Sequence, residues 1–194
     1  MARATSRATE DANQDKNRVE IANQSVRRGS VIAGIGLVLM TPLAAFANFV
    51  VLEGLITSDN AAQTASEILN AEGMFRFAIA SLFVVAVLDL IVAWALYMVF
   101  KPVSSGIAVL MAVFRVISAG VFMVAISQLV GVLSILKSAD AASVFTTEQH
   151  YAQALLGINA FYDIWDAALI FVGLHLVVLG YLVYRSVTDR SYKS

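Results

Sequence analysis

Four long runs of apolar residues, separated by shorter polar segments, dominate the pattern along the chain. Each run reaches the length of about 20 residues that crosses the hydrocarbon of a bilayer as a helix. Spans are predicted at residues 31–52, 75–100, 103–136 and 153–184. At about 1.5 Å per residue the third would be roughly 50 Å long, so it must tilt, break or project beyond the bilayer. The pattern predicts an all-α fold, a transmembrane bundle of four helices.

Polar residues surround and separate these spans. Residues 1–28 carry both signs of charge and no aromatic side chain, and we interpret them as a disordered or loosely helical tail. The helical membrane domain is predicted over residues 29–186, followed by a second polar tail at 187–194. A short helix that ends at Asn70 is expected between the first two spans, and Pro42 is expected to kink the first span.

The composition agrees with a membrane protein and removes several function classes. Hydrophobic residues make up 59% of the chain and charged residues 14%, and the mean hydropathy is +0.78. A net charge of −1 provides no argument for binding nucleic acid. The absence of cysteine excludes disulfides, thiolate metal sites and cysteine nucleophiles. The lipid bilayer is therefore the predicted partner, and no cofactor is predicted.

The positions of the basic residues predict the orientation of the spans. Arg27 and Arg28 precede the first span, Lys101 lies in the turn between the second and third, and Arg185 follows the fourth. The segment between the first two spans carries only acidic charges before Arg76. Because cytoplasmic loops are enriched in Lys and Arg, both termini are predicted to be cytoplasmic.

The first span also permits an alternative interpretation. Arg27 and Arg28 before an apolar run, followed by Ala45-Phe46-Ala47, resemble a twin-arginine signal with a small-residue cleavage site. The apolar run continues past Ala47 to Leu52. We therefore favour an uncleaved membrane anchor.

Two opposite charges lie inside the predicted spans, Asp89 in the second and Arg115 in the third. Each is thirteen positions from Pro102, so a tight turn there would place both at the same depth, roughly 20 Å from the turn. A charge at that depth costs at least about 2.5–3.5 kcal/mol on insertion scales, so each should face inward and find a partner. His175, ten positions before Arg185, has a similar depth. These residues form a predicted mid-membrane cluster, either an ion pair that sets helix register or a site for a proton or ligand.

A second polar group is predicted nearer the outer face. Arg76 begins the second span, while Asn159, Asp163 and Asp166 share one stripe of the fourth because their spacing is four and three. We expect Arg76 to pair with Asp163 or Asp166. The group would form either an interfacial ring of salt bridges or a polar cavity open to the outside. No metal site is predicted.

A series of short segments carries a family resemblance by its order and spacing. The segments are Arg28-Gly29-Ser30-Val31-Ile32-Ala33-Gly34, Ala71-Glu72-Gly73-Met74-Phe75-Arg76, Leu88-Asp89-Leu90, Leu96-Tyr97, Lys101-Pro102-Val103, Val113-Phe114-Arg115-Val116, Tyr162-Asp163, Phe171-Val172-Gly173-Leu174-His175-Leu176 and Leu179-Gly180-Tyr181-Leu182-Val183-Tyr184. Together they resemble bacterial integral membrane proteins of the domain of unknown function family 4386, over about residues 27–186. The resemblance implies a multi-pass protein of the bacterial cytoplasmic (inner) membrane and no particular activity. Such proteins usually continue into another hydrophobic segment, so the short tail after Arg185 raises the question of a membrane-protein partner or a homo-oligomer.

Three function classes stay open. The sequence favours a non-enzymatic scaffold or accessory subunit of a membrane complex, in which the inner polar groups specify packing. The main alternative is a small-molecule or proton-coupled carrier that acts as a homodimer, in which Asp89 and His175 titrate and Arg115 holds an anionic group. An intramembrane enzyme would need Asp163 and Asp166 in an outward cavity. No HExxH, GxSxG, Walker or dinucleotide motif supports an enzyme.

Overall fold

A computed structural model describes residues 2–57, 60–138 and 145–191. Over these residues the regular elements are helices, without a strand, as the apolar pattern predicts. In chain order they are α1 (Ala2–Ala45), a π-helical segment (Phe46–Leu52), α2 (Glu53–Leu55), α3 (Ala61–Asn70), α4 (Glu72–Phe100), α5 (Ser105–Lys137) and α6 (Thr147–Ser191).

Four of the helices are long and apolar enough to cross a membrane. The qualifying segments are Asn23–Leu55, Glu72–Phe100, Ser105–Lys137 and Thr147–Thr188. The predicted four-span helical bundle is therefore confirmed. The expected short helix before the second span is α3, and it ends at Asn70 as predicted.

The polar segment before the first span belongs to α1, which begins at Ala2. The sequence before Gly29 contains neither Pro nor Gly, and Ala and Arg are its commonest residues. Extending an existing helix adds one hydrogen bond per residue without a new nucleation cost. The membrane span therefore provides the nucleus from which residues of good helix propensity continue the helix toward the N-terminus.

Helix α1 continues through Pro42 to Ala45 and is followed by the π-helical segment, and the kink at Pro42 stays a prediction. Pro42 has no backbone N–H, so the carbonyl of Val38, four residues earlier, loses its usual helical donor. Four residues after Pro42 the helix widens into the π-helical turns, which bury Ala47, Val51 and Leu52. Such local widenings change the direction in which the following side chains point.

The four long helices pack in chain order, α1 against α4, α4 against α5, and α5 against α6, while α3 covers one end of α6. We call the end of the bundle that carries α3 the α3 end, and the opposite end the turn end, after the α4–α5 turn at residues 101–104. A continuous apolar core fills the α3 half of the bundle, with Phe75, Leu82, Ile126 and Phe161 fully buried. Helices α1 and α6 are not among the closely packed pairs of the described residues, so a groove remains between them.

Candidate binding site within the membrane

The structure brings Asp89, Arg115 and His175 together, one from each of α4, α5 and α6. Nη2 of Arg115 lies 2.5 Å from Oδ1 of Asp89, and the two side chains are only 12% and 15% exposed. Nη1 of Arg115 lies 3.2 Å from Nε2 of His175, which is 1% exposed. The turn at residues 101–104 folds α5 back along α4, so the equal spacing from Pro102 does place the two charges at one depth.

The contacts of His175 define its protonation state. A guanidinium group only donates hydrogen bonds, so Nε2 of His175 must accept from Arg115. The proton of the ring is then on Nδ1, which donates to the backbone carbonyl of Met111 at 2.9 Å. His175 is therefore a neutral imidazole with both ring nitrogens used. The three side chains together carry no net charge.

A cavity of about 190 Å³ adjoins this trio. At one end it is lined by the polar side chains of Asp89, Arg115, His175 and Ser118. The remaining wall is apolar and is lined by Met40, Val85, Phe122, Trp165, Leu169 and Val172, together with Ala168. The hydroxyl of Ser118 donates to the carbonyl of Ala168 at 3.3 Å, so Arg115 is the principal free donor on the polar side.

Nε of Arg115 is a buried nitrogen without a hydrogen-bond partner in the described part of the chain. Nη2 of the same side chain contacts the thioether sulfur of Met40 in α1 at 3.9 Å, a weak acceptor. Nearly all buried donors in proteins are paired, so Nε is an exception, and with under 1 Å² of accessible surface it is enclosed by the protein and not open to a ligand. The Arg115 side chain itself lines the cavity.

A larger groove of about 510 Å³ lies next to this cavity along α1. Met40 and Trp165 belong to the walls of both. The groove then follows Thr41, Ala45 and Phe49 toward the α3 end, with Trp165 of α6 on its other side. Because α1 and α6 do not pack closely, the groove lies open on the membrane-facing surface of the bundle.

The second predicted group is not brought together. Arg76 pairs with Glu72, one turn earlier in its own helix, at 2.7 Å, and not with Asp163 or Asp166. The same carboxylate of Glu72 also binds Nζ of Lys137 at 2.8 Å, which ties the start of α4 to the end of α5. A partner at position i−4 of the same helix is closer to Arg76 than any residue of α6.

Asn159, Asp163 and Asp166 do share one stripe of α6, as their spacing predicts, but that stripe is exposed. Neither aspartate forms an ion pair within the described part of the chain. The apolar face of α6, with Ile158, Phe161 and Ala168 buried against the rest of the bundle, decides this rotation. The polar stripe therefore lies on the opposite, exposed side of α6.

Some site residues have no clear signal in the sequence. Ser118 is three residues after Arg115 and therefore on the same helical face, so its position beside the trio follows from helical geometry. Met40 has no such signal, because an apolar residue in an apolar helix does not indicate which way it points. Trp165 lines both the cavity and the groove, and a single aromatic residue in an apolar helix does not indicate that position.

Comparisons with known proteins agree with this architecture. Residues 32–188 match the family described as Domain of unknown function (DUF4386). An uncharacterized protein of Archaeoglobus fulgidus is 33% identical over 110 residues, which are 57% of this chain and 52% of that protein. The chain thus spans about half the length of this relative. No solved structure matches the chain. Since the matched region covers most of the chain and includes Asp89, Arg115 and His175, the protein belongs to the DUF4386 family.

Proposed function

We propose that this protein binds a small, membrane-soluble molecule with an uncharged, hydrogen-bond-accepting head in the cavity beside Arg115. The observation that carries the proposal is the cavity of about 190 Å³, with Asp89, Arg115 and His175 at one end and apolar side chains around the rest. A mostly apolar pocket with a few convergent polar groups is typical of small-molecule sites.

The charge balance of the trio supports an uncharged head. The charges of Asp89 and Arg115 cancel, and His175 is neutral because it accepts from Arg115 and donates to Met111. A charged ligand would add an uncompensated charge at a depth where charges are costly. A carbonyl oxygen, by contrast, accepts a hydrogen bond from the guanidinium of Arg115, which lines the cavity, without changing the charge. This ligand differs from the anionic group that the sequence alone suggested for a carrier.

The geometry favours binding over the two other classes. A scaffold needs the Asp89–Arg115 pair for helix register, but it has no need of a cavity at the end of that pair. An enzyme built on Asp163 and Asp166 would need these carboxylates in the cavity, and they lie on the exposed stripe of α6 instead. A binding protein uses both the polar end and the apolar wall.

Filling the cavity should remove the bound molecule. Val172 lines the cavity, so Val172→Phe adds a ring to a space of about 190 Å³. Val177 lies on the same helix with 72% exposure, so Val177→Phe is a matched control on the lipid-facing surface. In native mass spectrometry of protein released from its own membrane, we expect a small molecule on the wild type and on Val177→Phe. We expect a loss of about tenfold or more in occupancy on Val172→Phe.

The same spectra distinguish the alternatives. A wild-type protein that carries a stoichiometric protein partner and no small molecule would contradict the proposal and favour the accessory-subunit hypothesis. Equal occupancy of wild type and Val172→Phe would place any bound molecule outside the cavity. The mass of the released assembly also tests the homodimer expected for a carrier.

Both termini and Lys101 are proposed to face the cytoplasm of a bacterial cytoplasmic membrane. The basic turn at Lys101 and the acidic segment before Arg76 support this orientation. Because the chain has no cysteine, single substitutions report topology without background. In intact cells a membrane-impermeant maleimide should label Gln63→Cys, at the exposed surface of α3, and should label Lys101→Cys only after lysis. Labelling of Lys101→Cys in intact cells would show the opposite orientation, with Lys101 outside the cytoplasm.

A further inference from the structure

The groove between α1 and α6 extends the proposed site toward the bilayer. On the basis of the proposed function, we infer that the bound molecule is an elongated amphipath that enters sideways from the membrane. Its neutral carbonyl head reaches Arg115 through the cavity, and its apolar chain lies in the groove between α1 and α6. The lipid-facing opening of that groove is the route of access.

The two spaces adjoin each other, which supports this inference. Met40 and Trp165 line both the cavity and the groove, so the two spaces meet at these side chains. Met40 also contacts Nη2 of Arg115, which places this junction next to the polar end of the site. A molecule with its head at Arg115 therefore has its apolar body directed past Met40 and Trp165.

The lining of the groove is mostly apolar, and its polar members are Thr41, Asn48 and Glu53. Leu37, Ala44, Ala45 and Phe49 form its apolar wall, and Phe49 is 67% exposed on the surface of the bundle. The distance along the helix from Met40 to the first polar amide, Asn48, is about 12 Å at 1.5 Å per residue. This apolar length can bury a chain of several methylene groups.

The irregular end of α1 explains why a groove exists here. The π-helical segment begins at Phe46, and its buried residues Ala47, Val51 and Leu52 pack against the core beside α4. The outward side of the same turns presents Phe49 to the groove. This end of α1 is thus held against α4, and the side facing α6 stays open.

The shared head chemistry is a neutral carbonyl, which occurs both on quinone rings and on acyl esters of membrane lipids. A pair of quinone probes separates head from chain: a dimethoxy-methyl-benzoquinone without a chain, and the same ring with a decyl chain. A dibrominated methyl palmitate represents the acyl source. All three probes quench tryptophan emission, and Trp165 lies in the shared wall. The second tryptophan, Trp94, is exposed and is replaced by phenylalanine in every protein of the series.

Blocking the groove should affect only the probes that have a chain. Thr41 is exposed and lines the groove, so Thr41→Phe narrows it without touching the trio. Val38 is 72% exposed on the same helix and is absent from the groove wall, so Val38→Phe is the matched control. We expect Thr41→Phe to weaken the decyl quinone about tenfold or more, because the added ring occupies the space that the chain would fill. The chainless ring should bind to Thr41→Phe within about twofold of wild type.

Phe49→Ala is a second groove variant that tests the inference if Thr41→Phe does not fold. It removes an exposed ring from the groove wall and should also weaken the decyl quinone selectively. Partition into detergent is the same for every variant, so ratios between variants isolate the contribution of the groove. If the brominated ester binds and the quinones do not, the natural ligand is an acyl lipid. Weaker binding of the ester to Thr41→Phe or Phe49→Ala would then show that its chain lies in the groove.

Failure of the inference differs from failure of the proposed function. Suppose that the chainless ring quenches saturably and that the groove variants affect both quinones equally. That result would reject the groove as the site of the chain and would leave the cavity as the binding site. Insensitivity of the chain-bearing probes to both groove variants would do the same. Absence of saturable quenching of Trp165 by all three probes would overturn both proposals together.

Discussion

Replacing Arg115 with methionine should destabilise the protein by about 3–5 kcal/mol, because it leaves the carboxylate of Asp89 buried without its partner. Asp89→Leu should have a comparable effect, since it leaves the guanidinium of Arg115 uncompensated. The double variant Asp89→Leu with Arg115→Met should be more stable than either single variant, because no unpaired charge remains. His175 keeps its hydrogen bond to the Met111 carbonyl in all three proteins.

Unfolding in a mild detergent, followed by circular dichroism, measures these differences. Arg76→Met is the control for loss of a charge as such, because the Arg76–Glu72 pair is exposed and should contribute little. A double variant less stable than both single variants would contradict the ion pair. Loss of cavity binding in the stable double variant would show in addition that the trio contributes to binding as well as to packing.

A second large effect is expected where α1 meets α4. A Cβ atom at Gly29 would lie 2.9 Å from the backbone oxygen of Ala95 and 3.1 Å from Cγ2 of Val99. Backbone cannot move aside as the end of a flexible side chain can, so Gly29→Val must push the two helices apart. We expect a loss of about 1–3 kcal/mol, the usual cost of overpacking. Small residues at such positions allow close helix approach in membranes.

Gly34 provides the matched control within the same helix. A Cβ there meets no atom within 4 Å, so Gly34→Val adds the same side chain at an open position. In the same detergent melts this variant should unfold within a few degrees of the wild type. Equal destabilisation by the two substitutions would show that helix propensity, and not the contact with Ala95, limits the stability of α1.

The four spans were predictable because one physical requirement governs them. A segment of about 20 apolar residues satisfies its backbone hydrogen bonds within a helix and its side chains within the bilayer, so composition alone indicates its position. The depths of Asp89, Arg115 and His175 followed in the same way, since the rise of a helix converts residue number into distance. Their contact needed only that three charged or polar side chains face inward.

Hydrophobicity and helical rise do not determine the rotation of each helix about its axis. The polar stripe of Asn159, Asp163 and Asp166 was correct as a stripe, but the packing of Ile158 and Phe161 turned it to the surface. Arg76 has a carboxylate within its own helix, and that nearer partner prevailed over the expected one in α6. In a helix that is apolar on every side, the sequence carries little periodicity from which the buried face can be read.

The sequence by itself determined the number of spans and the common level of the buried charges along the helices, because these depend on hydrophobicity and helical rise along one chain. Only the tertiary structure decided that Met40 adjoins Arg115, that a cavity borders the trio, and that α1 and α6 leave a groove between them. These features depend on how separate helices fit together, side chain against side chain. A cavity is a property of that fit, and no single segment of the sequence contains it.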